Sequence, residues 1–152
     1  MKDDVSELYL ENQLCFPLYA ASRLTTKLYA PYLKALGLTY PQYLVMLTLW
    51  EEDTQSVKAI GKRLYLESNT LTPLLKRLQQ KGLIDRIRST EDERTVVISL
   101  TTAGAELRER ARQVPGEIVS SFQDETINKE ELQSFQRTLF RLLEVLGKRV
   151  EE

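Results

Sequence analysis

The chain of 152 residues contains one cysteine, Cys15, and no histidine. A thiol becomes a nucleophile, and a target for oxidants, in its thiolate form. With no second cysteine Cys15 can form no disulfide within the chain, so it either packs as a small apolar side chain or reacts. The lack of histidine removes Ser-His-Asp and Cys-His catalysis and every His-containing metal site. CxxC, P-loop and GxGxxG patterns are absent as well, so no enzyme activity, metal or cofactor is expected. Tyr19 lies one helical turn beyond Cys15, and Tyr29, Tyr32, Tyr40 and Tyr43 follow. A phenol hydroxyl can donate a hydrogen bond to a thiolate, and it can equally serve as amphipathic packing.

A second group of residues is suited to phosphate. Between Ser56 and Thr95 there are nine Lys/Arg against five Asp/Glu, a net of +4, while the rest of the chain carries −5. Nucleic-acid affinity comes mainly from neutralised phosphates, and Lys58, Lys62, Arg63, Lys76, Arg77, Arg86, Arg88 and Arg94 can supply the cations. Ser68, Asn69, Thr70 and Thr72 are short hydrogen-bonding side chains that can approach base edges or phosphates closely. Lys76 and Arg77 fit phosphate clamps that set register. Asp92 and Arg94 alternate on one side of an extended segment, where the carboxylate is expected to hold the guanidinium outward, toward an A·T-rich minor groove.

The elements that must position these groups read as mainly helical. Asn12 is expected to cap a first helix that places Cys15 in its first turn, where backbone N–H dipoles favour a thiolate, with Pro17 tolerated there. Leu14, Leu18, Ala21, Leu24 and Leu28 form a stripe, Pro31 disturbs the helix end, and Gly37 closes a short further segment. Thr39 caps a helix expected to turn Leu44, Leu47 and Trp50 inward. Ser56 caps SVKAIGKRL and Ser68 caps NTLTPLLKRLQQK, two helices joined by three or four residues, as in a helix-turn-helix. Pro73 requires the second helix to begin near Thr70 or to bend. Two β-prone runs, LIDRIRS and TVVISLT, flank a charged tip and form the wing. Thr101 or Thr102 opens a long helix with Leu107, Ala111, Val114, Ile118 and Phe122 on one face, kinked at Pro115-Gly116. A last helix from Asn128 carries Leu132, Phe135, Leu139, Leu142, Leu143, Leu146 and Val150, a stripe wide enough to meet a partner subunit.

The expected fold is therefore a mainly α winged helix-turn-helix with six helices and a two-stranded β wing. It forms one domain over 1–152, with dimerisation helices at about 8–36 and 102–150 and the winged helix-turn-helix at about 40–101. The start MKDDVSELYLENQL lacks the basic n-region and apolar run of a signal peptide, and no apolar run reaches the ~18 residues of a membrane helix. A cytoplasmic location without membrane contact is expected.

The segment Ile60–Thr102, with LTPLLKRL, KGLI.R, the Asp92/Arg94 pair and the closing LTTAG, resembles the multiple-antibiotic-resistance regulator (MarR) family. The resemblance implies a homodimer whose recognition helices read a pseudo-palindromic operator in double-stranded DNA and whose wing arginine enters the minor groove. The motifs NQLCF..YAASR and LGLTYPQYLVMLTLWE resemble the organic hydroperoxide resistance repressors within it. That subgroup implies that Cys15 senses an organic hydroperoxide and that tyrosines matching Tyr29 and Tyr40 reach its thiolate from the opposite subunit. The sequence departs from many members in lacking a second, resolving cysteine and in carrying Pro17. A one-cysteine sensor needs an outside partner such as a low-molecular-weight thiol, a backbone nitrogen, or further oxidation. The expected function is a repressor that leaves its operator when Cys15 is oxidised. The alternatives are release by a small aromatic ligand with Cys15 structural, and a thiol peroxidase in which Cys15 turns over.

Overall fold

The computed structural model describes residues 5–124 and 126–150. The chain divides into two compact units, one ending at Tyr40 and the other beginning at Pro41.

The first unit opens with two short 3-10 turns, Ser6–Leu8 and Leu10–Asn12, followed by helix α1, Cys15–Leu36. Asn12 does not cap α1. Its Nδ2 donates to the Ser6 carbonyl at 2.7 Å, a local bond that competes with helix capping, and α1 is preceded by Leu14 with no side-chain cap. Cys15 is nonetheless the first residue of the helix, and Pro17 lies in its first turn, where a missing N–H leaves no helical bond unmade. Pro31 does not end the helix. α1 continues through it to Gly37, which takes the left-handed conformation at φ 69° and returns its N–H to the Lys34 carbonyl, so a single helix replaces the expected two segments. Leu33 and Leu36 near its end are buried, whereas Leu14, Leu18, Ala21 and Leu24 lie exposed.

In the second unit, helix α2 (Tyr40–Glu51, whose first residue belongs to the first unit) buries Gln42, Tyr43, Val45, Met46, Thr48 and Leu49. The expected inward row was wrong: Leu47 is exposed and Leu44 and Trp50 are half-buried. α2 is apolar nearly all round, so its composition does not fix which face turns in. Strand β1 (Gln55–Ser56) leads into α3 (Val57–Leu64), capped as expected by the Ser56 hydroxyl, which accepts from the Ala59 N–H at 3.1 Å. Helix α4 (Ser68–Gln80) follows after three residues.

Strands β2 (Ile84–Arg88) and β3 (Val96–Leu100) form the expected hairpin, and β1 adds a short third strand, giving the antiparallel order β1-β3-β2. Ile84 pairs with Leu100 and Arg88 with Val96. Helices α5 (Thr102–Ala111) and α6 (Val114–Phe122) are the expected long helix, interrupted just ahead of Pro115-Gly116. Phe122, expected on its inner face, is exposed. Counting that broken helix as one, the helices number six among the described residues. Helix α7 (Lys129–Val150) begins with a capping box, in which Asn128 Oδ1 accepts from the Glu131 N–H and Glu131 Oε2 accepts from the Asn128 N–H. The core of this unit includes Ile60, Leu71, Leu75, Leu78, Ile84, Ile98, Leu107 and Ile118, all 7% exposed or less. No helix among the described residues is long and apolar enough to cross a membrane.

Candidate redox site and nucleic-acid interface

Cys15 is exposed at the start of α1. Tyr19, one turn on, is also exposed, and its hydroxyl accepts from Arg23 Nη1 at 3.1 Å while the guanidinium lies 5.6 Å from the ring centre. Tyr29 and Tyr40 come together, their rings 4.9 Å apart and tilted by 52°. Burial pushes the Tyr40 phenol above its usual range, because the phenolate loses solvation there. The geometry of α1 separates this pair from the thiol of its own chain. Cys15 and Tyr29 are fourteen residues apart on one continuous helix, about 21 Å along its axis at 1.5 Å per residue. Within one chain the structure therefore gathers Tyr29 with Tyr40 and keeps Cys15 apart from both.

The helix-turn-helix is held by its connection. Tyr65 adopts a left-handed backbone at φ 54°, and the Leu66 N–H returns to the Gly61 carbonyl at 2.9 Å. A Cβ on Gly61 would meet the Leu66 carbonyl oxygen at 2.7 Å, so the tight turn requires glycine there. α4 begins one residue earlier than a Ser68 cap would place it, with Glu67 in the flanking position and Ser68 inside the helix. The Ser68 carbonyl is instead the acceptor for the Thr72 hydroxyl, at 2.7 Å. Pro73 lies inside α4 rather than near its start, which deprives the Asn69 carbonyl of a helical N–H. Ser68, Asn69, Thr70, Lys76 and Arg77 are exposed and Thr72 is half-buried. Six of the candidate DNA-contacting side chains thus share one thirteen-residue helix that starts at the turn.

The wing differs from expectation in its polar contacts. Asp92 does not hold the Arg94 guanidinium. Its carboxylate accepts from the Arg94 backbone N–H at 2.9 Å and from the Thr95 hydroxyl at 3.1 Å, a local turn that shapes the tip and leaves the Arg94 side chain exposed. Arg86 is half-buried on β2 opposite Ile98, its Nε buried and unpartnered among the described residues. Arg63 forms an ion pair with Glu51, so it is not the free cation that composition suggested. Sequence reasoning passed over Gln42 and Gln55, both buried. Gln55 Nε2 donates to the Thr48 carbonyl at 3.0 Å, and Gln42 Oε1 accepts from Lys81 Nζ at 2.8 Å. A glutamine within an apolar helix was the available signal. Among the described residues no group of His, Cys, Asp and Glu could hold a metal ion.

A helix-turn-helix followed directly by a β hairpin, with cations along α4 and the hairpin, defines a winged-helix DNA-binding regulator. The family model of the SarA/Rot transcriptional regulators matches residues 27–110. The chain is 51% identical to the organic hydroperoxide resistance transcriptional regulator of Bacillus subtilis, over 96% of its own length and 97% of the relative's. It is 40% identical to AbfR of Staphylococcus epidermidis in the structure of the reduced protein bound to DNA, which covers all of both chains with a TM-score of 0.77. The disulfide-formed AbfR matches at 41% identity over 97% of each chain, TM-score 0.60. A cysteine-to-serine mutant of Escherichia coli MarR, complexed with operator DNA, shares the fold at 23% identity and TM-score 0.79, over 90% of this chain and 98% of that one. The chain therefore belongs to the SarA/Rot family of transcriptional regulators, in the group of the organic hydroperoxide resistance regulators, and shares the winged-helix fold of MarR.

Proposed function

We propose that the chain is a cytoplasmic, homodimeric repressor that holds a pseudo-palindromic operator while Cys15 is reduced and leaves it when an organic hydroperoxide oxidises Cys15. The observation that carries this reading is a single exposed thiol in the first turn of α1 in a chain related along nearly its whole length to a hydroperoxide regulator. The thiolate attacks the terminal peroxide oxygen, the O–O bond breaks, and the alkoxide leaves and takes a proton to become an alcohol. Cys15 is then a sulfenic acid. A low-molecular-weight thiol can condense with it, forming a mixed disulfide and releasing water.

Tyr29, too far along α1 from the Cys15 of its own chain, and Tyr40, whose ring packs on it, serve the thiolate of the partner subunit. The exposed apolar rows of α1 and α7 supply the surface for that partner. This assigns 8–36 and 102–150 to dimerisation and 40–101 to DNA. Ser68, Asn69, Thr70 and Thr72 approach the major groove, with Lys76 and Arg77 on phosphates. Arg86 lies along the wing, and Arg94 enters the minor groove from a tip shaped by Asp92. Oxidation adds bulk at Cys15 and breaks the tyrosine contacts, and reorientation of the winged lobes then spoils a half-site spacing of about 34–36 Å. A coupling of about 1–3 kcal/mol between thiol state and operator is enough for a 5- to 150-fold loss of affinity.

The test is a gel shift of reduced protein on its operator, with and without cumene hydroperoxide, beside Cys15→Ser. Release by peroxide in the wild type and none in the variant supports the proposal. Release that persists in Cys15→Ser overturns it, and sustained multi-turnover peroxide consumption would make the chain a peroxidase instead.

A further inference from the structure

A buried polar side chain joins the helix that carries Tyr40 to the end of the helix that faces DNA. Gln42 is 1% exposed in the midst of the apolar residues of α2. A buried amide requires hydrogen-bond partners, and its Oε1 accepts from the Lys81 ammonium at 2.8 Å. Lys81 is the residue that ends α4, its backbone N–H returning to the Arg77 carbonyl at 3.0 Å. Tyr40 is the first residue of α2 and Gln42 the third, so the ring that packs on Tyr29 and the amide that holds Lys81 share one helical turn. A turn of helix moves as a unit, and a charge-assisted bond to a buried, fixed acceptor is among the stronger side-chain contacts.

Resting on the proposed function, we infer that Gln42 is a positioning residue for the redox response: its bond to Lys81 transmits displacement of Tyr40 to the recognition helix. Loss of the contact between Tyr40 and the Cys15 thiolate shifts the first turn of α2. Gln42 shifts with it, and Lys81 draws the C-terminal end of α4 out of register with the groove. Broken at either side, the link leaves α4 indifferent to the state of the thiol, so the oxidised protein stays on DNA.

The readout is the ratio of operator Kd in the oxidised protein to that in the reduced protein, which general weakening or misfolding lowers affinity without changing. Lys81→Met removes the donor from an exposed side chain and leaves the core filled, and Gln42→Met removes the acceptor at similar volume. The expected result is a ratio at least fivefold smaller than wild type in each, no smaller in the double variant, and kept in Lys81→Arg. Lys76→Met serves as the comparison, weakening both states alike with the ratio intact. A Lys81→Met ratio within twofold of wild type overturns the inference while leaving the proposed function standing. A wild-type protein whose ratio is one overturns both.

Discussion

The carbonyl oxygen of Leu83 occupies the place where a side chain on Gly104 would begin: a Cβ built there would lie 2.0 Å from it. Around that contact the base of the wing is knit to the first turn of α5. The Thr101 N–H donates to the Leu83 carbonyl at 3.1 Å and its hydroxyl donates to the Gly82 carbonyl at 2.6 Å and accepts from the Gly104 N–H at 3.0 Å. Trp50 Nε1 reaches the Gly104 carbonyl at 2.9 Å. One small patch thus fixes α2, the hairpin and α5 to one another.

Gly104→Ala should therefore be disproportionately costly for the addition of one methyl group. The obstructing atom is backbone and cannot swing aside, so the cost should reach or exceed the roughly 1–3 kcal/mol typical of overpacking. Urea unfolding of the two proteins measures it. Gly116→Ala, where a Cβ would meet nothing within 4 Å, should stay within about 0.5 kcal/mol. Equal midpoints for Gly104→Ala and wild type would show that α5 can retreat from Leu83 freely.

At the wing tip, Arg94→Ala should weaken operator binding and lower the slope of log Kd against log salt by about 0.9, the signature of one lost phosphate contact. Asp92 acts on the backbone of the tip instead, so Asp92→Ala should weaken binding about 2- to 10-fold, equivalent to a hydrogen bond of about 0.5–1.5 kcal/mol. Asp92→Asn, which keeps one acceptor oxygen, should stay close to wild type. Filter-binding titrations over a range of salt concentrations distinguish the two roles. If Asp92→Asn falls as far as Asp92→Ala, the carboxylate charge matters and the turn does not.

The parts of the fold legible in the sequence are those governed by local backbone chemistry. Ser56 and Thr101 cap the helices they precede, and Gly37 takes the positive φ that ends α1. Asn12 and Ser68 misled because several neighbouring residues could serve as caps and their side chains or carbonyls found other local partners. The inward face of α2 was illegible for a different reason. With apolar residues on all sides, its orientation is decided by packing and by where Gln42 finds its partner, the Lys81 ammonium at 2.8 Å, while the Thr48 hydroxyl is satisfied within the helix by the Leu44 carbonyl at 2.9 Å. At the redox site, residue types were enough to single out Cys15 and the tyrosines. The pairing of Tyr29 with Tyr40 was not readable from residue types, because it depends on how the chain turns between α1 and α2.

The exposed rows of the terminal helices predict association. Leu24 is 64% exposed on α1, and Phe135 and Phe140 are 56% and 60% exposed on α7. Sedimentation equilibrium should give twice the 17.6 kDa chain mass. Phe135→Glu places a charge where a partner would bury it and should shift the protein toward monomer. Losing the second half-site should then cost about 100-fold or more in operator affinity through lost effective concentration. A Phe135→Glu protein that remains dimeric would place the interface off this row of α7.

Tyr40 offers a test in alkaline solution. Burial raises its pKa in the folded chain above the ordinary 10.0, so the folded protein keeps a proton that the unfolded chain gives up. Below about pH 10 both states hold that proton and stability is indifferent to it. As pH rises past that point the unfolded state binds fewer protons than the native one, and stability falls until the folded phenol itself ionises. Tyr40→Phe removes this contribution, so the stability difference between wild type and variant should be flat near neutrality and move against the wild type above about pH 10. Unfolding midpoints taken from about pH 8 to about pH 11 would follow it. Throughout the neutral range Tyr40 keeps its proton, as an ordinary phenol also would, and so is in the donating state required of a phenol that serves a thiolate. A difference that stays level through the whole alkaline range would mean that the Tyr40 hydroxyl is as well solvated in the folded chain as in the unfolded one.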